Sequence, residues 1–417
     1  SEIRGWRTSR RRSITGYRRN GCTPDLTIAH SRAALAVTRS LGSKGYNLFV
    51  GERVKPSLAS RSKYCVDAVL YPDPVNEYGK FCHKIKEIID ILKIDLVIPV
   101  TDICIFPISN MVKDGVIEKI TQLANDNTMK LAANKSELTK QAVELEIPVP
   151  LSHIIVSKND IALQNLKIPY PVVVKPSRSR VMIDGKWIFT SVTYAGSHDE
   201  LQSILEKTNR EVFPVILQER VRGKGIGAFY CYDKGRCVAK FSHRRIREKP
   251  PSGGVSVLRE SVEIDPDIDR YSQMLLEKIK WHGVAMVEYK YDDEKDIPYF
   301  MEINGRFWGS LQLAIDAGVD FPNILVNIFQ NIDVGDATNY KIGVKTRWLW
   351  GDIDLLLMLL IKSRSQLKLP DDYGPKWKVI ADILKPFSKN QHYEVLSIKD
   401  IKPWFHESRQ WISNLVK

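Results

Sequence analysis

The stretch from His282 to Gly318, HGVAMVEYKYDDEKDIPYFMEINGRFWGSLQLAIDAG, limits the fold more than any other part of the chain. Two apolar runs, at 284–289 and 299–303, are rich in Val, Tyr, Phe and Ile and flank a short charged loop, DDEKD. Such runs are predicted to be strands joined in a hairpin. Side chains on a strand alternate between its two faces. Met286 and Glu288 therefore share one face, and Phe300, Glu302, Asn304 and Arg306 share a face of the second strand. A turn near Lys295 sets Glu288 opposite Glu302. Carboxylates opposed across a ladder repel, and a divalent cation between them removes that cost. Hard cations take oxygen ligands, and Glu288, Glu302 and the Asn304 carbonyl supply three. Arg306 cannot ligate a metal but pairs well with phosphate oxygens. The pattern reads as a site for a metal and a nucleotide phosphate at the end of a hairpin. The bland alternative is an edge hairpin with solvated glutamates, which leaves the in-phase Glu beside Glu-x-Asn-x-Arg as coincidence.

Glu288 followed by MEINGRFWGS resembles the ATP-grasp superfamily, and within it the carbamoyl-phosphate-synthase-like branch of carboxylate–amine ligases. The resemblance implies an α/β chain with an ATP-grasp fold, two α+β subdomains gripping ATP. A small doubly wound α/β domain precedes it and a helical extension follows. The implied domains are a basic arm at 1–23, an N-terminal α/β domain at 24–125, the ATP-grasp domain at 126–330, and an extension at 331–417. Within the ATP-grasp domain the lid spans about 135–217 and the metal subdomain about 218–330.

Length and charge are compatible with this. The chain has 417 residues, more than one domain at about 100–200 residues each. Apolar residues make up 43% and charged residues 27%, which fits a folded globular protein. The formal net charge is +13, of which residues 1–19 supply six, seven Arg against one Glu. That arm is expected to be disordered. The remaining charge is mild, and an acidic small molecule suffices as its partner. Nucleic-acid binding would need a basic, aromatic-studded surface through the body of the chain, and the charge is concentrated in the arm instead. Cys22, Cys65, Cys82, Cys104, Cys231 and Cys237 form no C-x-x-C pair, which points to reduced thiols and a cytoplasmic setting. Cys231 and Cys237 are predicted to face each other across a hairpin as buried thiols. No secretory signal and no membrane-spanning run is seen; the longest strongly apolar run, 355–361, is far short of the roughly 20 residues a span needs.

From Leu26 a βα rhythm begins, and Ala34, Val37 and Leu41 form one helix face with Arg32 and Arg39 outside it. No G-x-G-x-x-G follows the first strand, so a dinucleotide fingerprint is absent. A helix is predicted at 81–92 and a buried strand at 95–100, followed by Thr101 and Asp102. Lys135 then opens a helix that Pro148 closes. Lys175 ends the apolar strand YPVVVKPS, where a buried ammonium calls for an anion. The resemblance makes Lys135 and Lys175 the phosphate lysines. Many relatives follow the second lysine with a Gly-rich loop; here one Gly and Arg178, Arg180 and Lys186 stand there, so side-chain contacts replace backbone cradling. The same resemblance implies an adenine hinge at Gln218, Glu219, Arg220 and Val221, with Glu219 a candidate for the ribose. Gly223, Gly225 and Gly227 read as a flexible GxGxG. A hairpin around Asp233–Gly235 leads to a basic loop carrying Arg244, Arg245, Arg247, Lys249 and Arg259, placed beside the ATP phosphates. An apolar helix within 344–367, flanked by Trp348, Trp350 and basic residues, is read as packing on the body or on a second copy, with membrane contact as the alternative.

These readings give an ATP- and Mg²⁺-dependent ligase, with Mn²⁺ able to replace Mg²⁺. It activates a substrate carboxylate as an acyl phosphate and couples it to an amine, both amino-acid-like small molecules. Lys135 and Lys175 hold phosphates, Glu288, Glu302 and Asn304 hold the metal, and Arg306 and Arg245 stabilise the transferring group. The competing readings are phosphorylation of bicarbonate or carbamate, and an ATP-binding regulator without turnover. A homo-oligomer is left open.

Overall fold

The computed structural model describes residues 24–28, 31–118, 123–160, 166–183, 186–367, 369, 373–385 and 389–415. The basic arm expected over 1–23, with Cys22, lies outside them.

The first units are β1 (Pro24–Ile28), α1 (Arg32–Ser43) and β2 (Asn47–Glu52). Ser31 caps α1 by accepting the Ala34 amide at 3.1 Å. The predicted stripe of Ala34, Val37 and Leu41 is buried. Thr38 joins it by donating its hydroxyl to the Ala34 carbonyl at 2.8 Å. With β3 (Cys65–Leu70), α2 (Tyr78–Leu92), β4 (Leu96–Pro99) and α3 (Asp102–Lys113), these make a parallel sheet of order β3-β2-β1-β4. Helix α1 covers one face, and α2 and α3 the other. This is the doubly wound arrangement expected. Ligands in such sheets sit at the carboxyl ends of the strands, which is where Asp102 begins α3.

The chain continues through α4 (Asp126–Ala132) and α5 (Lys135–Glu144) into β5 (Ser152–Ile155) and β6 (Val172–Pro176). A hairpin follows, β7 (Arg180–Ile183) and β8 (Lys186–Phe189), then β9 (Thr193–Ala195), α6 (His198–Lys207) and β10 (Val215–Glu219). Strands β5-β10-β6-β9 form an antiparallel sheet whose apolar face is closed by Leu201 and Leu205 of α6.

The third sheet has order β15-β14-β11-β12-β13-β16-β17. Its members are β11 (Lys224–Asp233), β12 (Arg236–Lys249), β13 (Val255–Ser261), β14 (Gly283–Asp292), β15 (Ile297–Asn304), β16 (Lys345–Arg347) and β17 (Gln391–Tyr393). Phe229, Phe241 and Met286 on one face pack with Trp308, Phe321 and α1, so the N-terminal sheet and this one share a core. Tyr230, Val287, Tyr289 and Phe300 on the other face pack with Leu275 of α7 (Pro266–Lys278) and Leu138 of α5. Helices α8 (Leu311–Ala317), α9 (Phe321–Phe329), α10 (Leu349–Ile361), α11 (Lys376–Ile383) and α12 (Lys402–Leu415) complete the chain.

Several expectations change. The segment from 331 was read as a helical extension, yet it supplies β16 and β17 to the large sheet. It also binds the N-terminal domain. Arg39 lies off the buried stripe as expected, but its Nε donates to Asp400 at 2.9 Å, and Ser62 Oγ donates to the same carboxylate at 2.8 Å. The buried Arg259 pairs with Glu394 at 2.7 Å, and Arg32 reaches the same Glu394 at 3.0 Å. The basic loop is not a loop. Arg244, Arg245, Arg247 and Lys249 sit on β12 and Arg259 on β13, and backbone pairing of the two strands holds them. Arg247 is bound by Asp352 and Asp382, Arg244 by Glu260, and Lys249 by Asp354. Gly225 and Gly227 are regular members of β11 rather than a flexible loop. Cys237 lies opposite Tyr232, because the Asp233–Arg236 pair at the turn sets that register, and the buried Cys231, a free thiol, lies opposite Ala239. Helix α10 packs Leu355 and Leu359 against Val257 and Ile383. Among the described residues no helix is long and apolar enough to cross a membrane.

Candidate active site

Strands β14 and β15 pair with Glu288 directly opposite Glu302, as alternation predicts. One step beyond, the register shifts and Tyr289 pairs with Phe300, leaving Met301 as the extra residue of a bulge. Phe300 therefore does not share the Glu302 face. It packs with Tyr289 and Ile303 in the opposite core, a correction to the period-two reading. The bulge lets one strand bury Phe300 and Ile303 while Glu302 and Asn304 both face the site. The Phe300 amide donates to the Pro148 carbonyl at 2.8 Å, so the segment closing α5 is tied to this strand.

The two carboxylates are bridged by one side chain. Asn304 Nδ2 donates to Glu288 Oε1 at 3.1 Å and to Glu302 Oε1 at 3.0 Å. Each carboxylate has a cation on its other oxygen. Lys135 Nζ lies 2.8 Å from Glu302 Oε2, and Arg245 Nη2 2.5 Å from Glu288 Oε2. Arg245 also holds Glu248 at 2.9 Å. Its stem passes over Gly225, where an added Cβ would come within 3.1 Å of Arg245 Cδ. A side chain at Gly225 would require Arg245 to shift by a few tenths of an ångström. Arg306 links two elements, donating from Nη2 to Asn304 Oδ1 at 3.0 Å and from Nε to Asp102 Oδ2 at 3.1 Å. Between Asn304 and Arg306, a Cβ at Gly305 would collide with the ring of buried Trp281.

The lid sheet brings the second lysine. Lys175 Nζ donates to Gln218 Oε1 at 2.5 Å, and Gln218 Nε2 donates to Ser152 Oγ at 2.9 Å. The Lys135 amide donates to the Ser177 carbonyl at 2.8 Å, because Asn134 caps α5 and leaves that first N–H for the strand end. Burial, aided by Lys135 and opposed by Glu302, pulls the Lys175 pKa down to about 8. Burial raises that of Glu288 against the pull of Arg245. Burial would raise that of Glu302 too, but Lys135, the Asn304 hydrogen bond and Lys175 outweigh it and bring it to about 2. The facing carboxylates are thus driven apart, one firmly ionised and one holding its proton more tightly.

The residues of the proposed hinge are placed differently from one another. Glu219 is engaged with the lid, accepting the Leu151 amide at 2.9 Å, and Arg220 lies over the Tyr194 ring at 5.5 Å. Val221 stands between β10 and β11, where a hinge is expected. The side chains of Lys135, Glu288, Glu302, Asn304 and Arg306, with Arg245, form one contiguous cluster. Lys175 reaches it electrostatically, since Glu302, Lys135 and Glu288 all act on its charge. Asp102 was not singled out as a site residue. Its signal was its place at the carboxyl end of a buried strand.

The donor set fits a hard divalent cation, with two carboxylates opposed at one register position. Asn304 as it stands presents its NH₂ to them and its oxygen to Arg306. Offering the oxygen to a cation requires the amide to turn over and release Arg306.

Comparison with known proteins bears on this geometry. Residues 215–351 match the family model described as ATP-grasp in the biosynthetic pathway with Ter operon. An L-amino acid ligase from Bacillus licheniformis superposes with a TM-score of 0.58 at 14% identity, covering 75% of each chain. The chain has the ATP-grasp fold. Two further structural neighbours were solved with nucleotide. The ADP complex of an N5-carboxyaminoimidazole ribonucleotide synthetase gives a TM-score of 0.58 at 13% identity, covering 78% of this chain and 80% of that one. The biotin carboxylase domain of Hydrogenobacter thermophilus 2-oxoglutarate carboxylase, with MgADP, ADP and bicarbonate, gives 0.60 at 14% identity, covering 78% and 74%. No curated protein is significantly similar in sequence.

Proposed function

We propose that this ATP-grasp protein is an ATP-dependent carboxylate–amine ligase. One observation carries the reading: Glu288 and Glu302 face each other at one register position, ringed by Lys135, Lys175, Arg245 and Arg306 from four different segments. A structural ion-pair network needs no second carboxylate at the point of closest like-charge repulsion. Glu288 and Glu302, with Asn304, would hold Mg²⁺, which when bound neutralises phosphate charge. Lys135 and Lys175 bind the phosphates of ATP. Gln218 and the backbone through Val221 take the adenine. Arg245, gripped by Glu288 and Glu248, positions Glu288, and Arg306, anchored on Asp102, is released for the phosphates when Asn304 turns its oxygen to the cation. The γ-phosphoryl group passes to a carboxylate oxygen as its bond to ADP breaks. An amine then adds to the acyl carbon, and inorganic phosphate leaves. Such a transfer is catalysed by positioning and charge neutralisation rather than by a protein nucleophile, and the residues supply both.

The free thiols of Cys65, Cys82, Cys104, Cys231 and Cys237 fit a reducing, cytoplasmic compartment. Melting of the purified chain with and without Mg-ATP tests the site, because a ligand of the folded state raises stability by mass action. ADP release that depends on an added carboxylate tests the reaction, and ADP release driven by bicarbonate alone would favour the carbamoyl-phosphate-synthase-like reading.

A further inference from the structure

The cluster opens onto a cavity of about 650 Å³ whose chemistry changes along its length. Lys135 and Asn304 line it, so it begins where the phosphoryl group is handed over. Helix α3 runs along it, presenting Asp102, Ile103, Phe106 and Asn110 to the space. These recur at helical spacing and form one face. At 1.5 Å per residue that face is about 12 Å long. Its Asp102 end is fixed to the cluster through Arg306, which bonds both Asp102 and Asn304. Its other end lies by Tyr78, whose hydroxyl accepts from Asn110 at 3.4 Å. Between the ends Ile103, Phe106 and Met129 give the lining its apolar part.

Arg180 of the lid hairpin also lines this space. Most arginines around the cluster hold carboxylates. Arg180 does not: among the described residues it makes no ion pair within 4 Å, and its guanidinium stands 5.8 Å from the Phe189 ring centroid. Burial disfavours its charge, and Asp102 at the start of α3 favours it. It lines the cavity near the Asp102 end of α3.

We propose that this cavity seats the carboxylate substrate, and that the substrate is a carboxylate bearing a bulky apolar group, aromatic or branched aliphatic, of amino-acid to dipeptide size. Its carboxylate lies between Arg180 and the γ-phosphate, and its apolar body lies along α3 against Phe106, Ile103 and Met129. The proposal rests on the ligase reading. It assigns Arg180 to substrate rather than to ATP, and it makes Phe106 a specificity-determining residue. The volume falls within the range of small-molecule sites and exceeds what bicarbonate requires.

The test uses the full chain and ADP release with Mg-ATP. The panel is L-phenylalanine, L-leucine, 3-phenylpropionate, L-serine, L-aspartate and bicarbonate, each with an amine supplied in excess. The apolar carboxylates are expected to give kcat/KM at least about tenfold above L-serine and L-aspartate, the scale on which an apolar pocket discriminates. Phe106→Ala lowers kcat/KM for the phenyl compounds about tenfold or more, and Phe106→Leu restores part of it for L-leucine. Arg180→Ala raises KM for the carboxylate while KM for ATP stays level. L-serine or L-aspartate turned over as well as L-phenylalanine overturns the substrate class, and so does bicarbonate as the best substrate. A rise in the KM for ATP as large as that for the carboxylate in Arg180→Ala overturns the placement of Arg180. Failure of the ligase reading is distinguished by the wild-type melting curve. Without a shift by Mg-ATP both readings fall, whereas a shift with the wrong panel order removes only this one.

Discussion

Glu302→Gln separates a metal and phosphate site from a structural ion pair. The substitution keeps the shape and one acceptor but removes the charge. Two effects on the apo protein oppose each other. The Lys135–Glu302 contact at 2.8 Å is lost as a charge-assisted bond, worth about 1.5–3 kcal/mol. Repulsion from Glu288, directly opposite, is relieved by about 0.2–1 kcal/mol. The apo variant is therefore expected to be less stable by about 1–2 kcal/mol. Alternation alone, with two repelling carboxylates and no knowledge of Lys135, gives the opposite sign, a variant as stable as wild type or more so. The pH dependence has a defined direction. Glu302 has its folded pKa depressed to about 2, so its contribution is present above the unfolded carboxylate range and is lost as pH falls through about 2. The stability gap between wild type and variant should hold from neutral pH to about pH 5 and narrow below it. Turnover should fall by about two to three orders of magnitude, the scale for losing one charge-stabilising group. It should be partly recovered by raising Mg²⁺. Melting temperature from pH 3 to 8 and ADP formation against Mg²⁺ concentration read both effects. A variant with unchanged or higher apo stability and near-normal turnover at limiting Mg²⁺ would refute the reasoning.

Other outcomes follow from the same geometry. Lys175, at about pKa 8 without ligand, should be driven back toward the usual lysine range by phosphate charge; calorimetry in buffers of differing ionisation heat should show proton uptake on Mg-ATP binding near pH 8.5, absent in Lys175→Met. Asp400→Ala strands Arg39, which the carboxylate holds at 2.9 Å, and should lower stability by about 3 kcal/mol in denaturant titration without moving KM for ATP. Gly305→Ala would drive a Cβ into Trp281 and should lower soluble yield and melting temperature, whereas Gly335→Ala, with nothing near its Cβ but a φ of +65°, should cost only about 1 kcal/mol.

Much of the site was legible because its residues lie on regular elements. Glu288 opposite Glu302 follows from period two and a short loop. Lys135 at a helix start and Lys175, an ammonium at the end of an apolar strand, were singled out through the family resemblance. Phe300 was misplaced because a bulge adds one residue and inverts everything beyond it, and nothing in a single sequence marks which residue is extra. The cluster of basic residues from 244 to 259 was misread because charge density resembles a loop, while Asp352, Asp382, Asp354 and Glu394, which neutralise it, lie about a hundred residues further on. The same long separation hid the role of the C-terminal segment. Its strands are three residues each and join a sheet whose other members precede them. Short strands carry no periodicity, and their place is set by the tertiary fold. Asp102 was visible only as the residue after a buried strand, and its link to Arg306 spans two domains.

The central claim is that this chain transfers the γ-phosphoryl group of ATP to a carboxylate through the Glu288, Glu302, Lys135 and Lys175 cluster. Isotope transfer measures it directly. Incubation with Mg-ATP, an amine and a carboxylate labelled with ¹⁸O in both oxygens should release phosphate carrying one ¹⁸O per turnover, because the carboxylate oxygen leaves with the phosphoryl group. ADP released with unlabelled phosphate would show transfer to water instead and would contradict the account.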